Sequence, residues 1–152
     1  MNKTATISIL VLAFIGGFLF FYKPNPISTP TQNNSEIIGT QQKWESKTDD
    51  QANVTVVVTP LNISFDSKEW TFDVVMNTHS VELGQDMKEI TVLTDDSGKE
   101  YGAVRWEGPE PGGHHREGIV VFNAISPMPS HLELKIKNIG EIPERSFKWD
   151  LE

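Results

Sequence analysis

The chain contains no cysteine. That absence excludes a disulfide framework, a thiolate metal centre and a cysteine nucleophile. Basic charge is also scarce: 13 Lys and Arg stand against 21 Asp and Glu, a formal charge of −8 over 152 residues. No broadly basic surface is available to a phosphate backbone, so nucleic acid is excluded as a partner class. Walker, dinucleotide-binding and nucleophile-elbow motifs are missing, and there is no internal repeat. The apolar content of 38% is modest and suits one domain of ordinary size.

Much of that apolar content sits at the start. Residues 5–22 read ATISILVLAFIGGFLFFY, 18 positions without a charge, bracketed by Lys3 and Lys23. As a helix rising about 1.5 Å per residue the segment reaches ~27 Å, close to the hydrocarbon thickness of a bilayer. A cleaved secretory signal would need small residues at the end of the run, and Phe18, Leu19, Phe20, Phe21 and Tyr22 are bulky instead. The expectation is an uncleaved transmembrane signal anchor over residues 5–22, with residues 1–4 as a short cytoplasmic N-terminus. The rest of the chain then lies outside the cytoplasm at the cell membrane, and the lipid bilayer is the first partner. Without Lys3 and Lys23, residues 24–152 carry 11 basic and 21 acidic side chains, or −10. An acidic exterior of this kind favours solubility and does not attract anionic headgroups.

Residues 23–52 are polar, proline-bearing and without periodicity, a composition unable to bury enough apolar surface to offset ordering. They read as a flexible tether, with Trp44 the exception that could pack on the domain or begin an edge strand. From Asn53 the pattern changes to period two. Val54, Val56 and Val58 share a face, as do Trp70, Phe72, Val74 and Met76, then Leu132, Leu134 and Ile136, then Phe147, Trp149 and Leu151. Residues 90–94 and 100–106 flank Asp95-Asp96-Ser97-Gly98-Lys99, a hairpin turn by composition, and residues 118–124 supply another strand. About seven strands in residues 53–152 predict an all-β, immunoglobulin-like antiparallel β-sandwich, with a small closed barrel as the alternative.

Four stretches carry a resemblance: ITVLTDDSGKEY at residues 90–101, Pro111-Gly112-Gly113, GIVVF at residues 118–122, and Leu132-Glu133-Leu134. Over residues 54–151 the chain resembles telokin-like, immunoglobulin-fold domains of bacterial and archaeal lipoproteins and membrane-anchored proteins. The resemblance implies an extracytoplasmic, non-catalytic domain, adhesive or ligand-binding. It assigns no site residues, and the loop at 106–118 is longer and richer in histidine than the family pattern.

That loop, Trp106-Glu-Gly-Pro-Glu-Pro-Gly-Gly-His-His-Arg-Glu-Gly118, is where chemistry is concentrated. Its Gly and Pro residues permit sharp turns, and Trp106, Glu107, His114, His115 and Arg116 are the expected partner-binding residues. A second use is open to the same imidazoles. His79, His114 and His115 could together hold zinc or copper if the loops converge, with His131, Met76, Met87 and Met128 as further candidates. Adjacent histidines on a strand point to opposite faces, so that use requires irregular backbone after the Gly-Gly pair.

No carboxylate pair is singled out for glycosidase chemistry, and Ser80 and Ser126 lack the context of a nucleophile. The Asp95–Gly98 turn lacks the spaced ligands of a calcium loop. Asn33, Asn53 and Asn62 head glycosylation sequons. Trp70, Trp106 and Trp149 read as sandwich core. Two functions follow: a membrane-tethered interaction or structural module that meets another envelope protein, or a metal-binding envelope protein using copper or zinc.

Overall fold

Val54, Val56 and Val58 alternate with Thr55, Val57 and Thr59, and β-branched residues in period two favour an extended, half-buried strand. The computed structural model, which describes residues 43–151, builds β2 on this logic. Its elements are β1 (Lys47–Gln51), β2 (Val54–Asn62), β3 (Glu69–Thr78), a one-turn α1 (Met87–Ile90), β4 (Thr91–Thr94) and β5 (Glu100–Gly102). They continue with β6 (Arg105–Glu107), β7 (His115–Asn123), β8 (His131–Ile139) and β9 (Ile142–Asp150). The strands form two wholly antiparallel sheets, ordered β1-β2-β3-β7-β6 and β5-β4-β8-β9. The expected segment at residues 5–22 lies outside the described residues. Among the described residues, no helix is long and apolar enough to cross a membrane.

The sheets share one core. Val54, Val56, Val58, Trp70, Phe72, Val74, Met76, Val120 and Phe122 come from the first sheet, and Leu93, Leu132, Leu134, Ile136, Phe147 and Trp149 from the second. Phe72 meets Phe122 edge-on at 5.7 Å between ring centres and reaches Trp149 of the opposite sheet at 5.8 Å. Each such side chain contributes about 1.5–3 kcal/mol when fully buried. The two buried indoles keep their N–H groups bonded, Trp70 to the Ser64 carbonyl at 2.9 Å and Trp149 to the Glu45 carbonyl at 2.7 Å.

Three sequence-based expectations are corrected. The strand count is nine among the described residues rather than about seven. One added strand is β1, read in the sequence as part of the tether ending at residue 52. Its charged sequence, Lys47-Thr-Asp-Asp-Gln51, has no apolar face, and it is held by pairing with β2 and by Arg145 of β9, which meets Asp49 and the Gln51 carbonyl. Trp44, just before it, packs on the core. The second added strand comes from dividing residues 100–106. The Ala103 amide donates to Thr91 of one sheet and the Val104 amide to Val121 of the other, so the chain changes sheets between consecutive residues. Period-two patterning is unbroken across that crossing and does not reveal it. The third correction lengthens the strand expected at 118–124: β7 starts at His115, because its register with β3 continues to Asn77.

Antiparallel register sorts the connections into two ends. The turns at residues 52–53 and 140–141, the segment 79–86 and the loop 108–114 lie together at one end. The chain enters at residues 43–46 at the other, beside the Asp95–Gly98 turn, Ser130 and Leu151.

Candidate functional site

The loop after β6 is held from both sides. Gly112 donates to the Leu83 carbonyl at 2.9 Å, Leu83 donates back to Gly113 at 3.0 Å, and Thr78 donates to His114 at 2.9 Å. Glu82 adds a carboxylate acceptor for the Gly113 amide at 2.9 Å. Gly112 and Gly113 have φ of 134° and 77°, values that L side chains rarely adopt, so this close antiparallel contact between two loops requires glycine. The segment opposite is ordered locally by Thr78, whose hydroxyl accepts from the Ser80 and Val81 amides, and by Asp86, which caps α1 through the Lys88 amide.

Arg116 closes the arrangement from below. β7 alternation turns His115 and Glu117 outward and Arg116 inward, where only 1% of it is exposed. Its guanidinium donates to the carbonyls of Leu83 (3.0 Å), Gln85 (2.7 Å) and Pro109 (3.2 Å), bonding both loops at once. Its carbon centre lies 5.6 Å from the Trp106 ring centre. Burial pushes Arg116 below the usual arginine range, and the charges of Asp86 and Glu110 oppose that shift. The expectation of Arg116 as a partner contact is therefore corrected. Its two terminal nitrogens bond main chain and the side chain is 1% exposed, so it shapes the loop instead of meeting a ligand.

Trp106 is half-buried and lies against Gly118, where an added Cβ would come within 2.7 Å of both the ring and the Glu107 carbonyl. The indole N–H donates to Pro109 at 3.0 Å. The ring is thus a wall of the loop, half-buried and packed against the margin of the two-sheet core instead of within it. A cleft of about 370 Å³ opens beside it, lined by Asp86, Lys88, Val104, Arg105, Pro109, Glu110 and Pro111 as well as Trp106 and Arg116. Arg105 is engaged by Glu69 (3.1 Å) and Glu107 (2.6 Å), and its hydrogen bond lowers the Glu69 carboxyl below its ordinary value. Glu107, expected as a partner contact, is exposed and spends its charge on Arg105.

The three histidines are brought to one end and left apart in role. His114 and His79 are exposed, and the Thr78 amide beside His79 donates to the His114 carbonyl. The His115 ring nitrogen Nδ1 is bonded to Asn77 Oδ1 at 2.6 Å across β3 and β7, and its Nε2 lies 3.8 Å from Glu117. Among the described residues, no three His, Cys, Asp or Glu side chains are grouped to hold a metal ion. The expected grouping of His79, His114 and His115 around copper or zinc fails on strand alternation: His115 faces the outer surface of the first sheet, with Asn77 beside it.

Sequence reasoning missed Arg145. It is 1% exposed in β9, pairs with Asp49 of β1, and donates to Gln51 (2.8 Å), Val54 (3.2 Å) and Ile139 (3.3 Å). The available signal was an arginine on the apolar parity shared by Phe147 and Trp149. In comparisons with known proteins, no family model, no curated protein and no solved structure matches the chain.

Proposed function

We propose that the chain is a membrane-anchored, extracytoplasmic, non-catalytic interaction module of the cell envelope, whose immunoglobulin-like domain presents the loop after β6 to another envelope protein. Support for the immunoglobulin-like assignment comes from strand order. With β1 set aside, β2-β3-β7-β6 and β5-β4-β8-β9 correspond to the A-B-E-D and C′-C-F-G orders of immunoglobulin sandwiches, and β1 adds an edge strand beside A. The telokin-like resemblance agrees with that order.

One observation carries the functional reading: the loop at residues 108–114 is prebuilt by Arg116, Glu82 and Leu83 at the end opposite the point where the chain enters. A rigid, exposed loop loses little entropy on contact, which is what recognition by a folded module requires. The apolar run at residues 5–22 supports the anchor, and the −10 charge beyond it supports a soluble exterior.

The test has two arms. After alkaline extraction of host membranes the full chain is expected in the pellet, and release into the supernatant overturns the anchor. Crosslinking in intact envelopes is expected to yield one discrete adduct that disappears when residues 108–113 are replaced by a short Gly-Ser turn. An adduct indifferent to that replacement overturns the loop as the contact.

A further inference from the structure

We propose that the domain pairs with a second copy of itself edge to edge, β9 against β9, so that the second sheet continues across a two-fold axis at Ser146. The inference goes beyond the interaction-module reading and does not involve the loop at residues 108–114.

β9 is the last strand of its sheet, and among the described residues no strand pairs with its far side. The other sheet edges are poorer templates. β5 and β6 are three residues each, and β1 is five residues of polar, mostly charged sequence. β9 is nine residues long, and its register with β8 runs without a shift. Residues 45–51 meet it through its inward side chains, Arg145 and Trp149, which places them against the inner face of the sheet.

The pairing on the inner side fixes which main-chain groups face the open edge. Leu151 donates to the Ser130 carbonyl at 2.9 Å, and the same register runs back along β8 and β9. Main-chain groups alternate between the two sides of a strand. Arg145, Phe147 and Trp149 therefore bond β8, while Glu144, Ser146, Lys148 and Asp150 turn their N–H and C=O groups to the edge. These four residues are exposed.

Charge selects the partner and the register. With the axis at Ser146, that residue faces its own copy, and Glu144 faces Lys148 of the second copy on either side of it. All three have edge-facing main chain, so each opposed pair exchanges two N–H···O bonds. Moving the axis to Phe147 sets Glu144 against Asp150, and moving it to Arg145 sets Lys148 against Ile142. Placing it at Glu144 or Lys148 sets like charges on the axis itself. The rows continue into each domain: Lys148 is paired with Glu133 of β8 at 3.4 Å, and Glu144 lies opposite Lys137 with Lys135 at 3.3 Å. From one β8 to the other, the signs along a row alternate through Glu133, Lys148, Glu144 and Lys137. An edge lysine ordinarily discourages strand pairing, and here an opposed glutamate answers it. Pro143, which has no N–H to offer, lies outside the paired stretch 144–148. The axis is perpendicular to the sheet and sends the two residue-43 ends in opposite directions along a strand of about 30 Å. Residues 23–42 span up to about 70 Å when extended, a length sufficient for both chains to reach one membrane.

The chain has no cysteine, so a single introduced one reports the axis. Residues bonded across it have Cα atoms about 5.5 Å apart, within disulfide reach. Full-length Ser146→Cys, oxidised in detergent micelles, is expected to form a reducible dimer about fivefold or more above Glu117→Cys, an exposed position on the first sheet. Adding Lys148→Glu or Glu144→Lys to Ser146→Cys opposes like charges on both sides of the axis, and each is expected to lower the dimer by about tenfold. Mixing the two charge-reversed chains opposes unlike charges again, and the dimer is expected to return. Tryptophan emission from the buried Trp70 and Trp149 verifies that the domain is folded in every arm. With folded chains, no excess over Glu117→Cys, no loss on charge reversal, or no recovery on mixing overturns the proposal.

Discussion

Arg145 on the last strand is paired with Asp49 on the first, so a buried ion pair joins the two ends of the domain's sequence. The Arg145 side chain is fully buried and its two terminal nitrogens also donate to three main-chain carbonyls, which is how its charge is kept in an apolar interior. Truncating it as Arg145→Ala strands Asp49 and three carbonyls together. The expected loss is about 3–5 kcal/mol of unfolding free energy by urea titration. A loss below about 1 kcal/mol would show that the pair contributes geometry without stability.

Releasing the guanidinium of Arg116 has a different outcome because its acceptors belong to loops. Arg116→Lys keeps a charge but cannot bond Leu83, Gln85 and Pro109 at once. Hydrogen exchange at the amides of Gly112 and Gly113 is expected to quicken by about tenfold or more, with exchange in β8 and β9 unchanged. Uniform quickening across all strands would instead mean that Arg116 supports the whole domain.

Gly118 tests the seat of Trp106. Gly118→Ala places a methyl within 2.7 Å of the ring and of the Glu107 carbonyl, so the ring must leave its position. The expected cost is about 1–3 kcal/mol, with a red shift in tryptophan emission as the indole becomes exposed. Unchanged emission would refute the contact.

At Ala52 the sign reverses. With φ of 46° and an exposed side chain, the position suits glycine better than alanine. Ala52→Gly is expected to stabilise the domain by about 0.5–1 kcal/mol, read as a raised midpoint in urea. A lowered midpoint would show that chain entropy outweighs the relieved strain.

The Asp95 turn sets an acid limit. Bonds from the Ser97 hydroxyl first, then from Tyr101 and the Lys99 and Ser97 amides, hold the Asp95 carboxyl down at about 2 against an ordinary 3.8. Because the folded value is the lower one, its stabilisation is complete above pH 3.8 and is lost as pH falls toward 2. Asp95→Asn is expected to lower the melting temperature at pH 6 and to flatten its decline between about pH 4 and 2. An unaltered acid slope would place that proton uptake elsewhere.

The sequence by itself determined the all-β character, the inward faces of β2, β3, β8 and β9, and the hairpin at Asp95–Gly98. These are local matters, since period-two alternation and turn chemistry act between near neighbours in the chain. Only the tertiary structure decided which strand pairs with which. It recruited charged residues 47–51 into a sheet through β2, and it switched sheets between Ala103 and Val104 without interrupting the pattern. Trp106, His115 and Arg116 show the same division. Their presence in one rich loop was legible, yet whether each points inward or outward depended on β7 extending to His115 against Asn77. That register is a contact across 38 residues, and no local pattern encodes it. The meeting of the β1–β2 and β8–β9 hairpins was illegible for the same reason, because the buried Arg145 brings residues 51 and 139 together only once both sheets have closed.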